Sequence, residues 1–204
     1  MLGLPKSTEI KPKQLPKKAI FEKFSLKPAQ RDHFDADISK MVIVNAISQN
    51  TLPALQKGDT VDTIYVIEVV LKRPNYDEKN IQMLSKLIHQ KILFALHFED
   101  EVQMAIYHTK LISSSWTKED AIELQLVGTT TDIVWDNLVK TIGGIEVEEG
   151  NTLAEQIAIN DAREKLRLQI LALEVKARQE RQPRKKLEMF NELETLRRLY
   201  EAGK

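Results

Sequence analysis

One acid interrupts a long apolar run in this chain. In IYVIEVVLK (Ile64–Lys72) Glu68 is the single acid, and Lys72 follows four residues later, on the same side of a regular strand. An acid and a lysine projecting together from a central strand can hold a divalent cation and activate water, the chemistry of a metal-dependent nuclease of degenerate restriction-endonuclease-like type. Asp37, or Asp35 near it, would supply the upstream acid. The common nuclease arrangement has the lysine two residues after the acid, where this chain has Val70. The plainer expectation is that Glu68 sits at a sheet edge or meets a basic group, because an unpaired buried carboxylate is costly.

Other reactive constellations are weaker. His97 and His108 flank one expected hairpin, but a tight turn near Asp100 sets Val102 or Met104 opposite His97. His108 is then several residues away, at about 3.3 Å each. Neither His33 nor His89 has an acid at a metal-ligand spacing, so no metal and no cofactor is expected. Asp32, Asp35 and Asp37 read as helix-capping or solvated acids. Gly143 and Gly144 lack the following glycine and lysine of a phosphate loop, and no Gly-x-Ser-x-Gly elbow occurs. With no cysteine in 204 residues, disulfide frameworks, zinc ribbons, iron–sulfur clusters and thiol catalysis are excluded.

These residues must be positioned by a folded body. The chain is 42% apolar and 29% charged, the balance of a globular protein. No apolar run has signal-peptide or membrane-spanning length, so the expectation is a cytoplasmic protein that does not enter a membrane. The net charge of zero conceals an uneven distribution. Residues 1–40 hold nine basic and five acidic side chains, residues 41–150 nine and sixteen, and residues 151–204 twelve and nine. An acidic middle thus lies between two basic ends, and local fields rather than totals steer polyanions.

The pattern predicts an α/β fold: a mixed sheet of about five strands with flanking helices, plus a C-terminal long helix or helical hairpin of coiled-coil-like character. Residues 1–14, rich in Lys and Pro, read as an extended basic arm. The body, 15–145, opens with helices at Pro16–Phe24 and from Pro28 to about Ser39, followed by a strand at Met41–Ile47. Ile64–Leu71 is apolar at nearly every position, the mark of a central strand covered on both faces. A helix capped by Asp77, with Ile81, Leu84, Leu87 and Ile88 on one side, leads to a strand at Ile92–Phe98, so a right-handed parallel crossover is expected. Val102–His108 pairs back as a hairpin. Further strands are expected near Leu111–Trp116 and Ile122–Val127, with a turn at Thr117–Asp120 between them, and then a helix over Asp132–Ile142 stopped by Gly143 and Gly144.

The tail, 146–204, is expected to be helical from a cap at Asn151 or Thr152, with an apolar stripe through Ile159, Ala162, Leu166, Ile170, Leu173 and Ala177. Pro183 breaks it, and a second seam follows through Met189, Leu193, Leu196 and Tyr200. Leu166, Ile170, Leu173, Leu193 and Leu196 are the expected partner-binding residues. Between the two helices Lys176, Arg178, Arg181, Arg184, Lys185 and Lys186 stand against the single acid Glu180, a candidate nucleic-acid contact. No aromatic residue interleaves them, so single-strand stacking is not expected there. The acidic body competes for the same cations, which ranks protein contact ahead of DNA contact.

Six segments carry a resemblance: LGLPKST (Leu2–Thr8), FDADI (Phe34–Ile38), IYVIEVVLK, KLIHQKILFAL (Lys86–Leu96), TDIVWDNLV with IGGI (Thr131–Ile145), and ARQERQPRKK (Ala177–Lys186). Over essentially its whole length the chain resembles a bacterial family of proteins of unknown function, encoded beside helicases and DNA methyltransferases of restriction-modification or phage-defence type. The resemblance implies an accessory role in a DNA-processing defence assembly, with a helicase or methyltransferase as protein partner. It brings no catalytic motif. The leading expectation is a non-catalytic interaction subunit, with a nuclease and a sequence-nonspecific DNA-binding protein as alternatives and a homo-oligomer left open.

Overall fold

In the computed structural model, which describes residues 2–202, the β-branched runs in the middle of the chain pair into one mixed sheet. Its strands are β1 (Glu9–Gln14), β2 (Ile38–Ile47), β3 (Ile64–Leu71), β4 (Lys91–Phe98), β5 (Glu101–Tyr107), β6 (Leu111–Ser113) and β7 (Thr117–Lys118). The order is β1-β2-β3-β4-β5-β6, with β7 also paired to β5. β3 and β4 are parallel and the other neighbours antiparallel. The crossover between β3 and β4 carries α3 (Glu78–Leu84), whose N-terminus is capped by the Asp77 carboxylate. It comes after α1 (Lys17–Lys23) and α2 (Pro28–Asp37), and α4 (Thr131–Gly143) follows the sheet. The chain divides between Glu146 and Val147 into two units, the second carrying α5 (Leu153–Gln179) and α6 (Pro183–Ala202).

Alternation along the strands gives the sheet two apolar faces. On one, Ile67, Val69, Phe94 and Leu96 pack with Ile20 of α1, Phe34 of α2, and Ile81 and Leu84 of α3. Lys91 alternates with Ile92, so it points to the other face, where its ammonium lies 5.2 Å above the Trp135 ring of α4. Double coverage explains why β3 is apolar at nearly every position. The cover thins toward its C-terminal end: Ile64 and Val66 are fully buried, Glu68 is half-buried and Val70 is exposed.

Strand locations depart from the expected pattern in two places. Residues of the basic arm form β1, an edge strand whose register with β2 breaks between Glu9 and Lys13, around Pro12. Its pairing uses backbone hydrogen bonds, for which a Lys/Pro-rich sequence gives no apolar signal. Conversely, Ile122–Val127 forms no ladder, and β7 occupies the expected turn. Leu124 is buried, but its N–H donates to the Leu2 carbonyl at 2.9 Å, so the segment packs as irregular chain against the N-terminus. α3 also ends four residues early, at Leu84. Leu87 and Ile88 still pack on the core from the turn that follows.

The long connection 48–63 is fixed to the start of α4. Asp132 accepts from the N–H groups of Asp59 and Val61, both at 2.7 Å, and from the Thr60 hydroxyl at 2.8 Å. Burial alone raises the Asp132 carboxyl, but the bonds from Thr60, Val61 and Asp59 outweigh it and hold the group below its usual range. The approach is so close that a Cβ on Gly58 would lie 2.4 Å from Asp132 Cγ. At the other end of α4, Gly144 closes the helix in the left-handed region, at φ +56°.

Candidate functional site

Glu68 is held at mid-strand by pairing with Val42 of β2 and Ala95 of β4. The half-buried carboxylate lines a cleft of about 300 Å³ with Glu9, Asn45, Val44, Leu4 and Ile10. Val44 belongs to an irregularity of β2, since the register passes from Ile43 opposite Ile67 to Asn45 opposite Val66. Below the cleft, the Asn45 side-chain amide donates to the Thr8 hydroxyl at 2.9 Å, a bond between two buried groups. Glu68 therefore opens toward the N-terminal segment. Sequence reasoning missed Glu9 and Asn45 as its neighbours, because they join it only through pairing of β1 with β2.

The other nuclease candidates do not converge on Glu68. Lys72 lies beyond the end of β3, exposed, with its backbone N–H given to the Asp37 carbonyl at 2.7 Å. Asp37 is wholly buried, and both of its oxygens are occupied. Arg73 donates from Nε and Nη2 to Oδ1 at 2.5 Å, and the Asp77 N–H and Asn80 amide donate to Oδ2 at 2.8 Å. These partners belong to the approach and first turn of α3, which packs on the face lined by Ile67 and Val69. Glu68 alternates with those residues and faces the opposite way. Asp37 is thus a clamp that pins the β3–α3 turn, and Asp35 pairs with Lys17 at 2.6 Å to join α1 to α2. Among the described residues no group of three His, Asp or Glu side chains is placed to hold a metal ion. His97 stands opposite Val102 as expected, with Nδ1 4.0 Å from a Glu119 carboxylate oxygen, well separated from His108.

In the second unit, Thr152 and Glu155 form a reciprocal cap that starts α5. α5 and α6 fold back on each other: Glu174 meets Arg197 at 2.6 Å, and the Arg163 guanidinium lies 5.6 Å over the Tyr200 ring. The tail is therefore a hairpin. Ala177 and Leu193 are its buried centre, with Leu166, Ile170, Leu173, Met189, Leu196 and Tyr200 half-buried along the seam. The five residues expected to bind a partner thus face one another within the chain. A second stripe, Leu168, Leu171 and Val175, lies on the opposite side of α5, about half exposed at 51%, 45% and 54%. The hairpin covers the expected stripe from Leu166 to Ala177, while Ile159 and Ala162 at its start remain exposed.

The basic residues gather at the bend. Lys176, Arg178, Arg181, Arg184 and Lys185 are exposed and Lys186 half-buried, and of these Arg184 pairs with Glu188 at 3.3 Å. Glu180 organises the turn, accepting the Gln182 N–H at 2.8 Å while its own N–H closes α5 on the Lys176 carbonyl. That Gln182 bond, aided by the Arg181 N–H and the Lys185 charge, outweighs the opposing effect of burial and holds its carboxyl below the usual range. The single acid in the basic segment is engaged with its own backbone, which leaves the cations presented to solvent.

No curated protein and no solved structure matches this chain. A family model described as a domain of unknown function, DUF4391, matches residues 2–199, so nearly the whole length, from the N-terminal segment over the Glu68 cleft to the end of the hairpin, belongs to the DUF4391 family.

Proposed function

We propose that the protein is a non-catalytic interaction subunit of a DNA-processing assembly, of the restriction-modification or phage-defence type that its sequence resemblance implies. The observation that carries this reading is the outward stripe of α5. Leu168, Leu171 and Val175 recur at i, i+3 and i+7 on a helix whose opposite side is already satisfied by α6. A helix apolar on two sides suits one intramolecular and one intermolecular contact, the helix-to-groove mode of recognition. The exposed cations at the bend would assist by meeting DNA phosphates. The dispersal of Glu68, Lys72 and Asp37 favours this reading over the nuclease.

The test is co-purification of the full chain with a helicase or DNA methyltransferase encoded beside it. Replacing Leu168, Leu171 and Val175 by Asp should abolish co-purification while circular dichroism keeps its helical signal. Undiminished capture would sink the proposal. Cleavage of DNA by the wild type with magnesium or manganese, lost in Glu68→Ala, would restore the nuclease.

A further inference from the structure

At the end of the sheet where β4 begins and β5 ends, beyond the last pair of their ladder, Leu93 with Ile106, Lys91 and His108 lie close together. With Lys86 and His89 from the turn after α3, these two line a recess of about 360 Å³, to which Tyr107 also contributes. No carboxylate lines it. Residues 41–150 are otherwise strongly acidic, with sixteen acids to nine bases, so two lysines and two of the four histidines of the chain in one recess run against the local composition. Lys91 is held in place over the Trp135 ring. Among the described residues none of the four is joined in an ion pair.

A second observation points to a missing partner. Among the described residues three buried side-chain nitrogens lack a hydrogen-bond partner: His108 Nδ1, the nearby Trp135 Nε1, and His97 Nε2, which is not part of this recess. Buried polar atoms are nearly always satisfied, and an orphan beside a recess marks a place for a bound group. Burial and then the Lys91 charge lower the His108 basicity, against the opposing Asp136 of α4. The imidazole is thus disfavoured as a cation until negative charge arrives.

We propose that this recess is a phosphate-binding site, taking either a small polyphosphate or the backbone of a nucleic acid. Two lysines and two histidines lining one recess suit a group with several oxygens and more than one negative charge better than a single carboxylate. The site belongs to the sheet-bearing unit and does not depend on the role proposed for the hairpin.

The experiment titrates the full chain at low salt with inorganic pyrophosphate, by calorimetry and by the ring resonances of His108. Saturable binding that moves those resonances is expected. Lys86→Glu and Lys91→Gln should each weaken it by roughly tenfold or more, the loss of about one charge-assisted contact. Lys185→Glu, at the hairpin bend, should leave it unchanged. Lys86 is exposed, so its variant tests the site without risk to the core. A short DNA duplex that displaces pyrophosphate, and is weakened by the same two substitutions, identifies the phosphate as that of a nucleic acid; pyrophosphate bound but not displaced identifies a free polyphosphate. The proposal is overturned if neither probe binds, or if Lys86→Glu and Lys91→Gln bind as the wild type does.

Discussion

In the sheet-bearing unit a buried carboxylate, Asp37, gathers donors as far as 43 positions away in sequence, while in the hairpin the pairs Asp161–Lys165, Glu164–Arg167 and Glu194–Arg198 join residues three or four apart. Carboxylate chemistry serves two purposes. In the first unit it specifies tertiary structure: Asp37 fixes the β3–α3 turn, and Asp132 fixes the 48–63 connection. In the second it mostly supports single helices, each local pair contributing only about 0.2–0.5 kcal/mol, and the two helices meet along a thin apolar seam bridged by Glu174–Arg197. The first unit is thus closed upon itself, and the hairpin retains apolar surface to offer.

The sharpest way to break that contrast is Asp37→Ala. It leaves Arg73, Asn80 and the Asp77 N–H without their shared acceptor, and should cost about 3 kcal/mol in urea denaturation of the full chain; a loss under about 1 kcal/mol would deny the clamp its role. Leu193→Ala should cost about 2 kcal/mol, the lower end for a buried leucine. The loss should appear as early melting of helical signal without change in the near-ultraviolet signal of the two tryptophans, Trp116 and Trp135, both in the sheet-bearing unit. A shift of both together would mean that the two units unfold as one.

A smaller effect concerns acid. Asp132 is held below its ordinary value of 3.8 in the folded state, so its contribution is fully present above that value and is lost as pH falls through the depressed folded one. Asp132→Asn should flatten the acid limb of the stability curve below about pH 4, and an unchanged limb would assign acid sensitivity elsewhere. Smallest should be Arg197→Ala, which removes an exposed pair with Glu174 and should cost no more than about 1 kcal/mol. A larger loss would show that charge, rather than the seam, holds the hairpin.

Much of this organisation was legible in the sequence because it rests on local signals. The apolar run of β3, the Asp77 cap, the parallel crossover and the break at Pro183 are each written within a few residues. What stayed hidden depends on distant pairing. Glu9 and Asn45 join Glu68 only through β1, and Asp37 is shown to be structural only by partners beyond β3. The histidines teach the same point. The separation of His97 from His108 was readable from the hairpin turn, but the approach of His108 to Lys91 and to the turn holding His89 was not. In the tail, periodicity identified an apolar stripe but could not say that the chain's own second helix would cover it.

The outer strand β1 has a consequence for behaviour at high concentration. A bare strand edge invites another chain to add to it, the first step toward fibrils. Here that border is written EIKPKQ, with Pro12 lacking a backbone donor, exposed lysines on either side of it, and a broken register behind. Such a margin cannot seed an unbroken ladder. From that side the protein is protected against runaway polymerisation, so it can keep a sticky helical hairpin without also carrying a sticky sheet.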